Sequence, residues 1–269
     1  MTDLRILIRG ANDVGSAVAH HLFLAGYAIV IHEVPQPTTA RRRMSFTDSI
    51  FDGHAMLDGV ESRLIKRLYL LRNALAAHQF IPVVVTDFHE LLKTFQPQIL
   101  VDARMRKHLQ PENQRGLVKF TIGLGPNFIA GDTIDIAIET NWGEALGQII
   151  EWGATSSLQG EPREIDGHAR GRYIYAPVAG IFHTSLQIGD SVAQGQEVAR
   201  IDSTPLLASI AGILRGLTHD GVPVTQKTKI IEVDPRLQNA QVSGIGERPA
   251  HISEGVLSAI QNWEAKHVH

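Results

Sequence analysis

A 32-residue repeat in the rear third of the chain limits the folds open to this sequence more than any other feature. The segment "APVAGIF" begins at Ala176 and "ASIAGIL" begins at Ala208, and the same offset relates Gly189 to Gly221. Each copy contains a β-branched run, a Gly-Asp or Asp-Gly turn and another short strand. Repetition of this kind predicts two similar halves, and we expect them to interlock into a flattened β barrel-sandwich.

The repeated motifs are similar to those of a known class of small β-domains. The pattern A-P-x-x-G-x-[FV] followed by G-D-x-V-x-x-G-Q resembles biotinyl and lipoyl carrier domains. Such carriers present a modifiable lysine on the hairpin between their halves, but here that hairpin reads "RIDSTPLLAS". The lysines of this region, Lys227 and Lys229, fall in the second half, near a turn and a strand start. We therefore expect no biotin or lipoate, and a rigid part of the molecule rather than a swinging arm.

The front of the chain alternates strand and helix patterns. Residues 4–8 form a β-branched run, apolar residues recur at helical spacing over 14–24, and "YAIVIHEV" is typical of a buried strand. A second unit contains the strand "FIPVVV", a helix capped by Asp87 and the strand "ILVDARM". Leucines over 64–75 predict a further helix. This order predicts a Rossmann-like α/β region with a mostly parallel sheet covered on both faces.

The first strand-to-helix turn carries a degenerate dinucleotide-binding fingerprint. Gly10 and Gly15 fill the first and third glycine positions of G-x-G-x-x-G, and Asn12 stands at the second. Backbone N–H groups at a helix start favour an anion, and Glu33 ends the second strand, where an acid can hold a ribose hydroxyl. The predicted contacts to a phosphate-bearing ligand are Gly10, Asn12, Asp13, Val14, Gly15 and Glu33. A turn whose glycines serve packing alone is the alternative.

Three further segments supply candidate ligand contacts. Arg41 and Arg42 belong to an arginine triplet that could grip a phosphate or form a solvated charged loop. Asp102 and Arg104 lie at the end of another strand, at the edge where open α/β sheets bind ligands. A glycine-rich loop allows close approach of the backbone to a ligand, although a structural turn would explain it as well. The candidate contacts in that loop are Gly123, Gly125 and Asn127.

Composition excludes several classes of function. The chain of 269 residues has a net charge of -3, so we expect no nucleic-acid partner. It contains no cysteine, which excludes disulfides, thiolate nucleophiles and cysteine-ligated zinc. The 13 histidines form no metal signature, and no nucleophile-base pair stands out, so neither metal ligands nor catalytic residues are assigned. Without a secretion signal or a membrane-spanning apolar run, we expect a cytoplasmic protein with no membrane partner.

Motifs spread over most of the chain resemble the accessory proteins of the selenium-dependent molybdenum hydroxylase system, which are distantly similar to xanthine dehydrogenase maturation factors. The matching stretches are "GANDVGSAVAHHLFLAGY", "PTTARRRMSF", "LVDARM", "GLGPNFIAGD", "ETNWGEALGQII" and "VDPR". The chain departs from that family at the first turn and at the "GPG" loop, where Asn12 and Asn127 replace glycines. The resemblance implies a role in maturing or inserting a molybdenum cofactor, with a molybdenum hydroxylase or its maturation machinery as partner.

These observations predict three parts: a Rossmann-like nucleotide-binding region at 1–165, the duplicated β barrel-sandwich at 170–235, and a segment at 236–269 with an amphipathic helix from about Ser253. The expected function is that of a non-redox accessory protein that binds NAD(P), another nucleotide or the pterin-phosphate of the molybdenum cofactor. An NAD(P)-dependent oxidoreductase is one alternative, and a scaffold that docks a partner through the β-domain is another. The sequence leaves catalysis and homo-oligomer formation open.

Overall fold

A computed structural model describes residues 4–106, 109–157 and 162–267. The helices are α1 (Asp13–Leu24), α2 (Ser49–Asp52), α3 (Leu71–Ala77), α4 (Phe88–Phe95) and α5 (Glu247–His267). The strands of the front region are β1 (Arg5–Arg9), β2 (Ala28–His32), β3 (His54–Leu57), β4 (Val60–Leu64), β5 (Ile81–Val84), β6 (Ile99–Asp102), β7 (Phe120–Leu124), β8 (Ile129–Ala130), β9 (Ile136–Ile138), β10 (Ile149–Ile150) and β11 (Gly153–Ala154). Those of the rear region are β12 (Tyr173–Tyr175), β13 (Gly180–His183), β14 (Ser191–Val192), β15 (Glu197–Ile201), β16 (Thr204–Leu207), β17 (Gly212–Leu217), β18 (Pro223–Val224) and β19 (Lys229–Asp234).

The front region is built on one mixed nine-stranded sheet in the order β10-β9-β7-β6-β1-β2-β5-β4-β3. Strands β9 to β4 in that order pair in parallel with their neighbours. Strands β10 and β3 add antiparallel pairs at the two edges. The predicted mostly parallel Rossmann-like sheet is therefore corrected to a mixed sheet, because chain reversals rather than helical crossovers attach both edge strands.

A tight turn explains the edge formed by β3 and β4. Asp58 and Gly59 close this hairpin with φ of 42° and 83°, and an Asp-Gly pair is the sequence signature of such a two-residue turn. Leu64 is the last residue of β4 and pairs with β5. The helix predicted over 64–75 therefore begins later, at Leu71.

Helices cover both faces of the sheet. Helices α1 and α5 pack over one face, around a core that includes Ile8 and Ile252. Helices α3 and α4 cover the other face, around Leu7. Helix α5 begins at Glu247 and not at Ser253, which is buried inside it. The Oγ atom of Ser253 lies 3.1 Å from Nδ1 of His21 in α1, so the residue predicted as a cap instead links two helices.

The sheet changes its direction of growth at β1, which has β2 on one side and β6 on the other. The carboxyl ends of two such strands bound the crevice in which open α/β sheets bind ligands. A Cβ atom on Gly10 would lie 2.9 Å from the Ala103 carbonyl oxygen, and one on Gly15 would lie 2.0 Å from that of Gly10. Both glycines are therefore required for the close contact between the turns that follow β1 and β6.

The rear region consists of two four-stranded antiparallel sheets, β12-β19-β17-β14 and β16-β15-β13-β18. The repeat maps β13, β14 and β15 onto β17, β18 and β19, so each sheet contains strands of both copies. One apolar core, which includes Phe182 and Leu214, joins the sheets. Within the described residues the hydrogen-bonded ladders do not continue from one sheet to the other. The predicted biotinyl/lipoyl-like barrel-sandwich is therefore corrected to two separate sheets that exchange strands.

Residues 38–42 fasten the rear region to the front region. The Leu217 N–H donates to the Ala40 carbonyl at 2.7 Å, and Nε of Arg42 donates to the Leu217 carbonyl at 2.8 Å. A Cβ atom on Gly216 would lie 3.3 Å from that of Ala40, so a glycine here allows the two backbones to approach. The arginine triplet consequently lies along strand β17.

Candidate functional site

The predicted ligand contacts fall into two groups in space. The residues around Gly10, Glu33, Asp102 and Gly125 follow or end the parallel strands β1, β2, β6 and β7, and so lie at the carboxyl edge of the mixed sheet. Arg41 and its neighbour reach the rear region instead. The two groups are therefore two different candidate sites.

The start of α1 is capped by side chains of the protein itself. Asn12 Oδ1 accepts hydrogen bonds from the N–H groups of Val14 at 3.0 Å and Gly15 at 3.2 Å. Glu33 Oε2 accepts from the Ala11 N–H at 2.7 Å. Burial raises the pKa of the Glu33 carboxyl. Three N–H groups that would face a pyrophosphate in a dinucleotide fingerprint are thus already bonded to Asn12 and Glu33.

The glycine-rich loop after β7 is closely packed. A Cβ atom on Gly123 would lie 2.5 Å from the Phe128 ring. Gly125 has a φ of 106°, and its carbonyl accepts a hydrogen bond from Thr155 Oγ1 at 2.9 Å. Asn127 adopts a φ of 75°, a conformation that asparagine tolerates better than most residues. In this structure the three positions fix the path of the loop.

A cluster of arginines lies at the same edge of the sheet, and the sequence had pointed to one of them, Arg104. We define the edge cluster as Arg9, Arg104 and Arg106 with the carboxylates of Asp102 and Glu112. Glu112 Oε1 accepts from Arg9 Nη1 at 2.7 Å and from Arg104 Nη2 at 2.6 Å, and Arg106 donates to its Oε2. Against the opposing effect of burial, the hydrogen bonds from Arg106 and Arg104 hold the pKa of the Glu112 carboxyl well below its usual range. Three guanidinium groups therefore hold one carboxylate.

Arg9 is the least accessible arginine of the edge cluster. Its side chain is 9% exposed, and its guanidinium carbon lies 3.7 Å from the centroid of the Phe88 ring. Gln114 Oε1 accepts from Nη1 at 3.1 Å, but Nε has no hydrogen-bond partner among the described residues. Burial, and then repulsion from Arg104, lower the pKa of Arg9. Arg9 is thus a buried cation with an unused donor.

Asp102 is the buried carboxylate of the edge cluster. Its side chain is 1% exposed and accepts from Arg104 Nε at 2.9 Å and from Gln114 Nε2 at 2.6 Å. Although burial opposes it, the interaction with Arg104 lowers the pKa of Asp102. This predicted ligand contact therefore orients Arg104 in the structure.

A cavity of about 370 Å³ lies along the same edge, after the ends of β4 and β5. Lys66 and Thr86 are among its lining residues. The Thr86 carbonyl lies 2.8 Å from Nε2 of His32, whose ring centroid is 5.6 Å from that of Phe88. Phe88 in turn stacks on Arg9, so His32 and Phe88 lie between the lining residue Thr86 and the edge cluster. The cavity has the size of a small-molecule site.

The second group of residues forms a charged network between α1 and the rear region. We define the junction cluster, by its ion pairs, as Arg41, Arg172, Arg215, Lys229 and Arg236 with Asp13, Glu232 and Asp234. Arg41 Nε lies 2.7 Å from Glu232 Oε2, and its Nη1 lies 2.9 Å from Asp13 Oδ2. Two predicted ligand contacts, Asp13 and Arg41, are therefore an ion pair. Arg42 pairs with Asp48 at 2.8 Å.

In the part of the chain that the structure describes, no group of three or more His, Asp or Glu side chains is arranged to hold a metal ion. Within the same residues, no helix combines the length and the apolar character needed to cross a membrane.

Comparisons with known proteins found one named relative and several solved structures. No protein-family model matches the chain. It is 36% identical over 255 residues to the uncharacterized protein YqeB of Escherichia coli K12. The matched residues make up 95% of this chain and 47% of that relative. The chain thus spans about half the length of the curated relative it matches.

The solved structures include proteins named as a desuccinylase or an aspartoacylase. A succinylglutamate desuccinylase/aspartoacylase from Rhodobacter sphaeroides is 24% identical, with a TM-score of 0.22, over 32% of this chain and 30% of that chain. An aspartoacylase family protein from Mesorhizobium loti is 9% identical, with a TM-score of 0.26, over 87% of this chain and 86% of that chain. Likenesses at these TM-scores assign neither a fold nor an activity to this chain.

The comparisons correct the functional expectation drawn from the sequence. The two structures described above are named as a succinylglutamate desuccinylase/aspartoacylase and an aspartoacylase family protein rather than as accessory proteins of molybdenum hydroxylases. No family model matches the chain and the curated relative is uncharacterized, so the predicted family membership is corrected to an unassigned family. The maturation or insertion role rested on that membership alone. The role and its oxidoreductase and scaffold alternatives are not retained.

Proposed function

We propose that the protein binds a small molecule carrying a phosphate or carboxylate group at the edge cluster. One observation carries the proposal: Arg9, buried against Phe88, acts with Arg104 and Arg106 to hold the carboxylate of Glu112, whose side chain is 46% exposed. Guanidinium groups bind planar and tetrahedral oxyanions through paired hydrogen bonds. In the bound state, the ligand anion takes the place of Glu112 and the neighbouring cavity holds the rest of the molecule.

The charges of the edge cluster favour an anion. Its three guanidinium groups are paired with two carboxylates, which leaves one positive charge in excess. Displacement of Glu112 by a ligand raises that excess to two, because Asp102 is 1% exposed and stays bonded to Arg104. The cluster also lies next to the point where the sheet changes its direction of growth, the usual ligand crevice of open α/β sheets.

Calorimetry on three variants tests the proposal. The ligands are inorganic phosphate, pyrophosphate, a dicarboxylate, NAD, NADP, and cytidine and guanosine nucleotides. Arg104→Gln should weaken binding of any ligand that the wild type binds by about tenfold or more, since a hydrogen bond to a charged group contributes about 1.5 to 3 kcal/mol. Glu112→Gln should strengthen binding, because it removes the internal competitor.

The control is Arg115→Gln. Arg115 is 48% exposed and pairs with Asp135, outside the edge cluster, so its loss should leave affinity unchanged. Two results would contradict the proposal: equal affinity in wild type and Arg104→Gln, or failure of Glu112→Gln to bind any member of the panel at millimolar concentration.

A further inference from the structure

We infer that the ligand of the edge cluster carries a hydroxyl group beside its anionic group, and that Nδ1 of His32 accepts the hydrogen bond of that hydroxyl. The inference rests on the proposed function and narrows its ligand to a hydroxylated oxyanion, such as a hydroxy acid or a polyol phosphate. His32 ends β2, and its ring contacts Phe88, the same ring that stacks on Arg9.

His32 belongs to a row of paired residues at the carboxyl end of the parallel strands. Across β6, β1, β2 and β5 the partners are, in order, Asp102, Arg9, His32 and Val84. In β6, β1 and β2 the residue two positions earlier belongs to the core beneath α3 and α4, and Val84 itself belongs to that core. Because side chains alternate between the faces of a sheet, the whole row points to the face that these two helices cover.

The row places His32 between an arginine that holds the anion and the cavity. Val84, its partner on one side, lines the cavity, and Arg9, its partner on the other side, belongs to the edge cluster. Neighbouring strands lie about 4.8 Å apart, so each step along the row is one strand spacing. A ligand that binds Arg9 and extends into the cavity therefore passes His32.

The hydrogen bond to Thr86 identifies the tautomer of His32. Nε2 lies 2.8 Å from the Thr86 carbonyl oxygen, which can only accept, so Nε2 carries the proton. Burial, together with repulsion from Arg9 and Arg104, lowers the pKa of the imidazole against the effect of this hydrogen bond, so the ring is neutral at neutral pH. Nδ1 of such a ring is an acceptor, and among the residues that the structure describes it has no hydrogen-bond partner.

This free acceptor lies among groups that only donate. The guanidinium groups of Arg9 and Arg104 have no acceptor atom, and the same holds for Lys66 and Arg67 of the cavity lining. An anionic group satisfies such donors but offers nothing to Nδ1 of His32, whereas a hydroxyl group donates to it. An ammonium group would donate as well, but the surrounding cations repel it. The ligand that satisfies both sides therefore combines an oxyanion and a hydroxyl group about one strand spacing apart.

Matched ligand pairs that differ by one hydroxyl group test the inference. Malate is compared with succinate, and hydroxyethyl phosphate with ethyl phosphate, by calorimetry on the full chain at neutral pH. The wild type should bind the hydroxylated member of one pair about threefold to tenfold more tightly than its deoxy partner, since that is the net contribution of one hydrogen bond. A preference within the first pair identifies a hydroxy acid, and a preference within the second identifies a phosphate ester.

Three variants and one control assign the preference to His32. His32→Phe removes the acceptor, so it should bind both members of the pair equally and keep the affinity for the deoxy member within about twofold. His32→Gln keeps an N–H group for Thr86 and an acceptor oxygen, so it should retain the preference. Arg104→Gln should weaken both members and leave their ratio unchanged. The control is His78→Phe, because His78 Nε2 also lies 3.2 Å from a backbone carbonyl, that of Phe23, and its ring stacks on Phe23 away from the edge cluster.

The outcomes separate this inference from the proposed function. Equal binding of both members of each pair by the wild type, or a preference that His32→Phe retains, would overturn the inference and leave the anion site intact. Absence of binding in both the wild type and Glu112→Gln would overturn both. If His32→Phe does not fold, nitrogen NMR of the wild type takes its place. The Nδ1 resonance of His32, identified by its absence in His32→Gln, should then shift with the hydroxylated member only, and equal shifts with both members would overturn the inference.

Discussion

The two copies of the repeat place equivalent positions in opposite surroundings. The 32-residue offset relates three residues of the junction cluster, Arg215, Lys229 and Glu232, to His183, Glu197 and Arg200. In the second copy these positions face the front region, and Glu232 is completely buried. In the first copy they face solvent, where Arg200 pairs with Glu197 and His183 lies 3.4 Å from Asp220.

This difference shows that the environment, rather than the strand framework, decides what a charge contributes. An exposed pair such as Arg200 with Glu197 contributes about 0 to 1 kcal/mol, because water and salt screen it. Glu232 lies on an equivalent strand but is buried among arginines. If its charge is removed, water cannot solvate those arginines in its place. Substitutions at equivalent positions should therefore have very different effects.

Glu232→Gln should produce the largest effect. Removing this charge leaves Arg41 and Arg172 without their buried counter-ion, and breaking one side of a buried pair costs about 3 kcal/mol or more. Urea unfolding of the variant should show a lower midpoint with an unchanged slope. The equivalent change in the first copy, Arg200→Gln, should stay within about 0.5 kcal/mol of wild type. Similar losses for both variants would mean that burial does not separate the two copies.

Gly212→Ala and Gly180→Ala compare the same position in the two copies. A Cβ atom on Gly212 would lie 2.4 Å from the carbonyl oxygen of Asp234, which the β17–β19 ladder holds in place. One on Gly180 would lie 2.2 Å from a side-chain oxygen of Asp202 and 2.7 Å from Cγ2 of Ile201, and side-chain atoms can shift more readily than a backbone carbonyl. We expect a loss of about 2 kcal/mol for Gly212→Ala, with less than about half of that for Gly180→Ala. Thermal unfolding of both proteins gives the comparison, and a larger loss for Gly180→Ala would contradict it.

Local features of the front region could be read from the sequence, whereas its arginine clusters could not. The β1-α1-β2 unit and the Asp87 cap depend on neighbours in sequence, and both are present. The edge cluster needs Arg9 beside Asp102, which only the parallel pairing of β1 with β6 provides. One signal was available: "DARMR" places charged residues at alternate positions after a buried strand, a pattern that a loop serving only as a connection does not require.

In the rear region the repeat was visible in the sequence, but the pairing of strands between its two copies was not. The 32-residue offset correctly relates β13 to β17 and β15 to β19, because each copy repeats its turn residues. Which strands then pair depends on contacts between the copies, and these give two separate sheets. The role of Arg41 was equally hidden, since its partner Glu232 is 191 residues away along the chain.

The acid dependence of stability should separate wild type from Glu232→Gln by a smaller amount. The folded state lowers the pKa of Glu232, so its contribution is complete above the unfolded pKa of about 4.3 and is lost as the pH falls toward the folded value. Between pH 6 and pH 3, wild type should lose about 1.8 kcal/mol more unfolding free energy than the variant, at 1.36 kcal/mol per unit. Arg200→Gln should follow the wild-type curve. Parallel curves for wild type and Glu232→Gln would show that Glu232 is not the titrating group.

Arg215→Met should cause the smallest change in stability, and its sign is the informative part. Burial lowers the pKa of Arg215, and its guanidinium is 3.8 Å from both nearby carboxylates, so the folded protein gains little from the charge. Replacing an incompletely paired buried ion by an apolar side chain of similar length is often neutral or stabilising. The variant should therefore unfold with the same free energy as wild type or up to about 1 kcal/mol more, while His183→Met changes it by less than about 0.5 kcal/mol. A loss of more than about 1 kcal/mol would show that the charge of Arg215 contributes fully to the junction cluster.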